Sequence, residues 1–299
     1  MAFFKRYQGR GSYDLFSNYN HFVPGYGGMF MLLLMFLVGA LLGNITVGAL
    51  TLVSSEFATV YGTVISYPIM FIPAMLYASA KSRRNDMFET GYALDSSNLG
   101  SLGAFWMALI VSVATIATAF IADACNWLLP EAPEWFKQLM ETMMNGPVWI
   151  TFISVSIFAP LFEEWLCRGM VLRGLLQKGK PFAAIVVSAL FFALLHANPW
   201  QALPAFMLGL LFGYVYYKTG SLKLTMLMHC VNNTLALVFS KIPSLKEADS
   251  FREVLSPWAY TGIFIACVAF VAGCCVVLRN IPFKKEGAAS NCDEIPSMI

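Results

Sequence analysis

Hydrophobic residues run along this chain in long continuous blocks rather than in alternation. Eight blocks approach or exceed the roughly 20 residues that a membrane-crossing helix needs. They cover residues about 28–53, 58–80, 101–124, 148–172, 181–198, 201–218, 221–240 and 257–279. Strands of a membrane barrel would alternate lipid-facing and lumen-facing positions, so continuous apolarity predicts helices. The pattern predicts an all-α membrane protein, a bundle of eight transmembrane helices, with residues 1–299 forming a single polytopic membrane domain. The connections are short except at 81–100, 125–147 and 241–256. No internal repeat stands out, which leaves an inverted-repeat transporter without support.

One polar connection has a pattern of its own. Residues 130–147 begin and end with helix breakers and place Trp135, Phe136, Leu139 and Met143 at helical spacing. A short interfacial helix fits this spacing. An amphipathic linker is the preferred reading of it, with a lid over the membrane domain as the alternative.

Composition agrees with the pattern. Hydrophobic residues make up 58% of the chain and charged residues 12%, with a mean hydropathy of +0.66. Soluble domains carry about 25% charge, so half that amount leaves too little polar surface to face water on all sides. The net charge of +2 gives no reason to expect a nucleic-acid partner. The basic residues instead flank the apolar blocks: Lys5, Arg6 and Arg10, then Lys81, Arg83 and Arg84, then Arg173, Lys178 and Lys180, then Lys218 and Lys223, then Arg279, Lys284 and Lys285. With eight spans all five clusters fall on one side. The other side holds Glu131, Glu134 and Glu141 and a mixed loop near Lys246 and Asp249. The positive-inside rule then predicts both termini in the cytoplasm. Residues 1–26 do not read as a cleavable signal peptide. Six of the seven cysteines, Cys125, Cys167, Cys230, Cys267, Cys274 and Cys275, lie in or beside apolar runs and read as small core residues. Cys292 stands seven residues before the end, so the terminus does not read as a prenylation box.

Ionisable side chains inside apolar blocks carry the chemistry. Each costs about 2.5–3.5 kcal/mol at a helix centre on insertion scales, so such residues face a partner or a cavity. The fourth block holds Glu163 and Glu164 side by side, followed by Arg168. Glu164 and Arg168 are four apart and stack on one face as an intrahelical ion pair, which makes them structural. Glu163 points about 100° away, has no such local partner, and is the candidate general base. The fifth block ends with Phe192 and His196 on one face. The seventh places His229 and Asn233 four apart, with Asn232 close by. His21, the third histidine, lies apart from this company and reads as ordinary. A carboxylate and an imidazole can hold and deprotonate a water, while a second imidazole and an amide N–H can donate to an oxyanion. The alternative is that Glu163, His196 and His229 hold a zinc ion that activates the water. No HExxH helix and no GxSxG turn is present.

Glu163-Glu164-x-x-x-Arg168, then Phe192-x-x-x-His196, then His229-x-x-x-Asn233, in that order on successive hydrophobic segments, resembles the CPBP family. That family takes in CAAX proteases, bacteriocin-processing proteins and Rce1-type prenyl endopeptidases. The resemblance covers residues 148–240, the expected catalytic core. It implies an eight-helix intramembrane endopeptidase with a buried catalytic cavity, acting on a membrane-associated or lipidated peptide or protein in contact with membrane lipid. By that likeness Glu163 and His196 would activate the water, His229 and Asn233 would stabilise the oxyanion, and Glu164 with Arg168 would hold the architecture. Family members are commonly labelled metalloproteases, which keeps zinc open. The likeness also implies a bacterial inner membrane. Two other readings stay open: a proton-coupled transporter using the same Glu and His as a relay, and a non-catalytic immunity or scaffold protein. One tension is internal to the pattern, since His196 falls near the outer end of its block while Glu163 falls in mid-membrane.

Overall fold

The computed structural model describes residues 16–87, 91–125, 128–144, 146–246 and 250–281. Lys5, Arg6, Arg10, Asp249, Lys284, Lys285 and Cys292 lie outside the described residues. All eight apolar blocks are helical, and no strand occurs among the described residues. In chain order the elements are α1 (Tyr26–Val53), α2 (Ser55–Asn85), α3 (Gly103–Ala124), α4 (Glu134–Met144), α5 (Val148–Lys178), α6 (Pro181–Leu195), α7 (Pro199–Thr219), α8 (Leu222–Phe239) and α9 (Pro257–Arg279). Six of them, α1, α2, α3, α5, α8 and α9, are long and apolar enough to cross a membrane, as in a multi-pass integral membrane protein. The two that fall short have physical reasons. α6 has 15 residues, or about 22 Å of helix against a hydrocarbon core of about 30 Å. α7 has 21 residues but carries Gln201, Pro204, Tyr214, Tyr216, Tyr217 and Lys218.

The helices alternate between two ends of the bundle. At one end Arg173, 4% exposed, gathers five carbonyl oxygens. It donates to Gly169 on its own helix and to Tyr19, Asn20, Phe22 and Tyr92, at 2.5–3.2 Å. This staples the segment before α1 and the α2–α3 connection onto α5. The same end holds the α7–α8 turn, where Ser96 and Asn98 donate through their backbone N–H groups to Gly220 and Thr219. Asp95 there accepts from Ser221 Oγ and pairs with Lys223. Lys218 donates to the Arg279 carbonyl, and Lys178 lies beside Gly25. Arg173, Lys178, Lys218, Lys223 and Arg279 thus gather at one end, with Arg173 a buried clamp and not a solvated charge, while Lys137 and Lys241 lie at the other.

The opposite end carries α4. Its Trp135 and Phe136 rings pack on Trp200 at 5.7 and 5.1 Å, Trp200 Nε1 donates to the Pro130 carbonyl, and Lys241 donates to the Met144 carbonyl. The 130–147 stretch is therefore built around an 11-residue helix fastened on both sides, and not a plain linker.

α5 is the axis of the bundle. In its most apolar 18-residue window 61% of residues are buried, against 11% for α9, so α5 is encased by protein while α9 faces outward. Trp165, Leu166, Cys167, Met170, Val171 and Leu172 are wholly buried and pack into a core shared with α1, α2, α6 and α7. A second core joins α3, α7, α8 and α9 through Met107, Phe212, Met228 and Leu278.

Close backbone approach welds α1 to α2. One residue, Ser54, separates the two helices, and its hydroxyl caps α2 by accepting from the Phe57 N–H. A Cβ added at Gly39 would stand 1.8 Å from the Met70 carbonyl oxygen, and one at Gly43 would stand 2.8 Å from Met70 Cγ. Two glycines four apart let the backbones meet, as small residues do at helix crossings in membranes. Gly39→Ala should therefore lower the unfolding midpoint in detergent, by the equivalent of about 1–3 kcal/mol for overpacking. Gly48→Ala, which meets nothing within 4 Å, should not lower it.

Candidate active site

The backbone of α5 departs from α-helical winding on both sides of the glutamate pair. Phe152–Phe158 and Trp165–Leu172 are π-helical, and the α-helical turn Ala159–Glu164 lies between them. In the π register each N–H reaches back five residues, as Ala159 does to Ser154. The next residue, Pro160, has no N–H to give to Val155. The amide of Asn233 on α8 fills that gap, donating from Nδ2 to the Val155 carbonyl at 2.7 Å. Asn232 Nδ2 donates in turn to Asn233 Oδ1 at 3.0 Å, which fixes the amide's orientation. The second Nδ2 hydrogen of Asn233 has no acceptor among the described residues.

The two carboxylates diverge and are bridged from α8. Glu164 and Arg168 form the expected pair, Oε1 to Nη1 at 2.6 Å, with both side chains fully buried. Arg168 Nη2 donates to the Gly209 carbonyl at 3.2 Å, and the guanidinium lies 4.6 Å from the Phe192 ring centre and 5.3 Å from that of Phe212. Aromatic faces and a carbonyl replace the water that a buried cation loses. Glu164 Oε1 also accepts from His229 Nδ1 at 3.0 Å. A carboxylate oxygen without a proton can only accept, so Nδ1 carries the hydrogen. That leaves His229 Nε2 turned toward Glu163 Oε2, at 3.9 Å.

Glu163 has a partner that the sequence does not announce. Tyr67, on α2, donates its hydroxyl to Glu163 Oε1. The Tyr67 ring stacks on Phe71, which stacks on Phe162, the residue before Glu163. Glu163 Oε2, like Glu164 Oε2, is buried and makes no hydrogen bond among the described residues. Tyrosines are common in apolar runs as packing residues, so only the fold distinguishes Tyr67.

His196 stands apart from this group. It closes α6 as its C-terminal cap, half-buried, and its Nδ1 donates to the Phe192 carbonyl at 3.1 Å. The helix stops there because Ala197 takes a positive φ of 54° and Asn198 caps α7. Both histidine rings pack edge-on against Phe192, at 5.2 and 5.4 Å. No hydrogen bond or ion pair joins His196 to Glu163, His229 or Asn233 among the described residues. His21 pairs with Asp86 at 3.0 Å, far along the chain from the glutamates.

Zinc binds three or four N, O or S ligands at about 2.0–2.3 Å. Among the described residues no three His, Cys, Asp or Glu side chains are grouped to hold a metal ion. Glu163, His196 and His229 are thus not grouped around one point, although two imidazoles and a carboxylate are chemically a zinc donor set. The two cavities described open elsewhere. One is lined by Arg173, Tyr216 and Gly220, the other by Ser17, His21, Arg83 and Asp86, and neither touches Glu163, His196, His229 or Asn233.

The arrangement makes Arg168 the cation on which the buried Glu164 leans. Arg168→Met should destabilise the protein by about 3–5 kcal/mol, the cost of stranding a buried charge. The measure is thermal unfolding in detergent. Adding Glu164→Gln to that variant should recover part of the loss, because the stranded charge is then gone.

Comparison with known proteins adds one finding. Residues 145–235 match the family model described as type II CAAX prenyl endopeptidase, Rce1-like, which supports assignment to the CPBP and CAAX protease family. The match takes in Glu163, Glu164, Arg168, His196, His229 and Asn233, and leaves out Tyr67. No curated protein and no solved structure matches the chain.

Proposed function

We propose that the chain is an intramembrane endopeptidase of the CAAX type, hydrolysing a peptide bond near the C-terminus of a lipidated or otherwise membrane-associated peptide. The carrying observation is Glu163, a buried carboxylate with one oxygen committed to Tyr67 and the other unbonded and facing an imidazole. Two acceptors 3.9 Å apart lie within hydrogen-bond reach, about 2.8 Å each, of a single water. Such a water gives one hydrogen to Glu163 Oε2 and one to His229 Nε2, which leaves its lone pair free to attack.

The steps balance without any other reactant. Water oxygen bonds to the scissile carbonyl carbon while its proton passes to Glu163 Oε2. The tetrahedral intermediate carries its negative charge on the former carbonyl oxygen. The second Nδ2 hydrogen of Asn233 is the candidate donor for that oxygen. The C–N bond then breaks, and the proton on Glu163 moves to the leaving amine. Glu164 and Arg168 hold His229 in the required tautomer. His196, one aromatic ring away, belongs in this reading to the outer part of the site where the peptide is seated.

The reading places all eight apolar helices across the membrane, with α6 and α7 spanning between the same two ends as their neighbours. The basic end then faces the cytoplasm, as in a bacterial inner membrane.

The test uses the full chain in proteoliposomes with a farnesylated peptide ending in a cysteine and three further residues. Wild-type protein should release the terminal tripeptide, and Glu163→Gln should lower kcat by about 10²–10⁴-fold. Its unfolding midpoint should stay near that of wild type. Undiminished release by the folded variant would sink the proposal.

A further inference from the structure

We infer that Tyr67 is a positioning residue for this chemistry, supplied by α2 from outside the matched segment 145–235. The inference rests on the endopeptidase reading of Glu163 and extends it to a helix that no motif marks.

A carboxylate has two equivalent oxygens, and a general base needs one of them aimed at the water. The Tyr67 hydroxyl donates to Oε1 and so takes that oxygen out of use. Oε2 is the remaining site for a proton, and it is the oxygen turned toward His229 Nε2. Without the phenol the Glu163 side chain could rotate about its last bond, a broad and soft torsion, and exchange its two oxygens. Tyr67 thus selects which oxygen reacts.

The placement of the phenol is itself built. Tyr67 precedes Pro68, one of two prolines inside α2, and its ring is clamped in the stack with Phe71 and Phe162. Phe71 is fully buried and also packs on Phe36 of α1 at 5.3 Å. The α1–α2 pair, joined through Gly39 and Met70, therefore holds the phenol against α5. Neither Tyr67 nor Phe71 could be reached from the spacing of the glutamates and histidines, because they lie about 100 residues upstream.

Tyr67→Phe keeps the stacked ring and deletes one oxygen. In the proteoliposome assay it should lower kcat by about 10–100-fold with KM unchanged, since a positioning group acts on the reacting step and not on peptide binding. The unfolding midpoint should stay within a few degrees of wild type. Fluorinated tyrosines incorporated at position 67 should change kcat in a graded series with phenol acidity, which a packing role would not do. An activity-free readout accompanies these. The infrared carboxyl band that Glu163→Gln removes should shift in Tyr67→Phe. An unchanged kcat in Tyr67→Phe overturns the inference, and so does a fall in kcat matched by a rise in KM and loss of fold. If wild-type protein releases no more peptide than Glu163→Gln, the endopeptidase reading fails. The band then decides alone whether Tyr67 holds the Glu163 carboxyl, and an unshifted band overturns that too.

Discussion

Two adjacent carboxylates in a membrane interior are tolerable only if each finds a separate counterpart, and the bundle is arranged around that constraint. Glu164 takes the cation Arg168, whose remaining faces are closed by the Gly209 carbonyl and the rings of Phe192 and Phe212. Glu163 takes neutral partners, a phenol and the far nitrogen of an imidazole whose near nitrogen is held by Glu164. His229 is therefore the joint between the two environments. Glu164 meets both its cation and the imidazole through Oε1, while the Oε2 of Glu163 faces the far side of the same imidazole. Burial makes this division sharp, because partners exchange less freely where water does not compete.

The same constraint explains why α5 is encased and irregular. A helix carrying two glutamates and an arginine cannot face lipid, so α2, α6, α7 and α8 each send a group to it. The π-helical stretches on either side re-aim its side chains. They also free the Val155 carbonyl, since Pro160 cannot reach it, and Asn233 answers that vacancy. Asn233 thus serves the backbone of α5 with one hydrogen, and the proposed mechanism draws on the other. A loss of activity on replacing Asn233 would mix the two roles, a point that bears on how any variant there is interpreted.

Much of this was legible in the sequence, and the limits of legibility have physical causes. Hydropathy located eight helices, six of them long and apolar enough to cross a membrane, because burial writes itself into continuous apolar runs. Local geometry gave Glu164–Arg168, since a four-residue spacing survives even where the helix winds into a π segment. It did not give Tyr67, because a tyrosine in an apolar run carries no periodic signal, and its partner is distant in sequence. Nor did it give the end of α6. The block looked apolar to residue 198, but Asn198 followed by Pro199 is a capping signature that starts a new helix. That backbone signal outranks hydropathy, and it leaves His196 at a helix end with its ring held by Phe192. Arg173 was legible as a charge beside the membrane and illegible as a clamp, because its five acceptors are carbonyls, which every residue possesses.

That clamp has a consequence for how the molecule is made. Arg173 bonds the carbonyls of Tyr19, Asn20 and Phe22 across 151–154 residues of chain. The segment before α1 is thus fastened by a residue that emerges after α1 to α4 have been synthesised. The α1–α2 hairpin, closed by Ser54, can form early from neighbours in sequence, whereas the seal at its base must wait for α5. Contacts of such long separation form late and slowly. Assembly of the bundle therefore includes a closing step that cannot precede α5, in which the segment before α1 is captured by the middle of the chain.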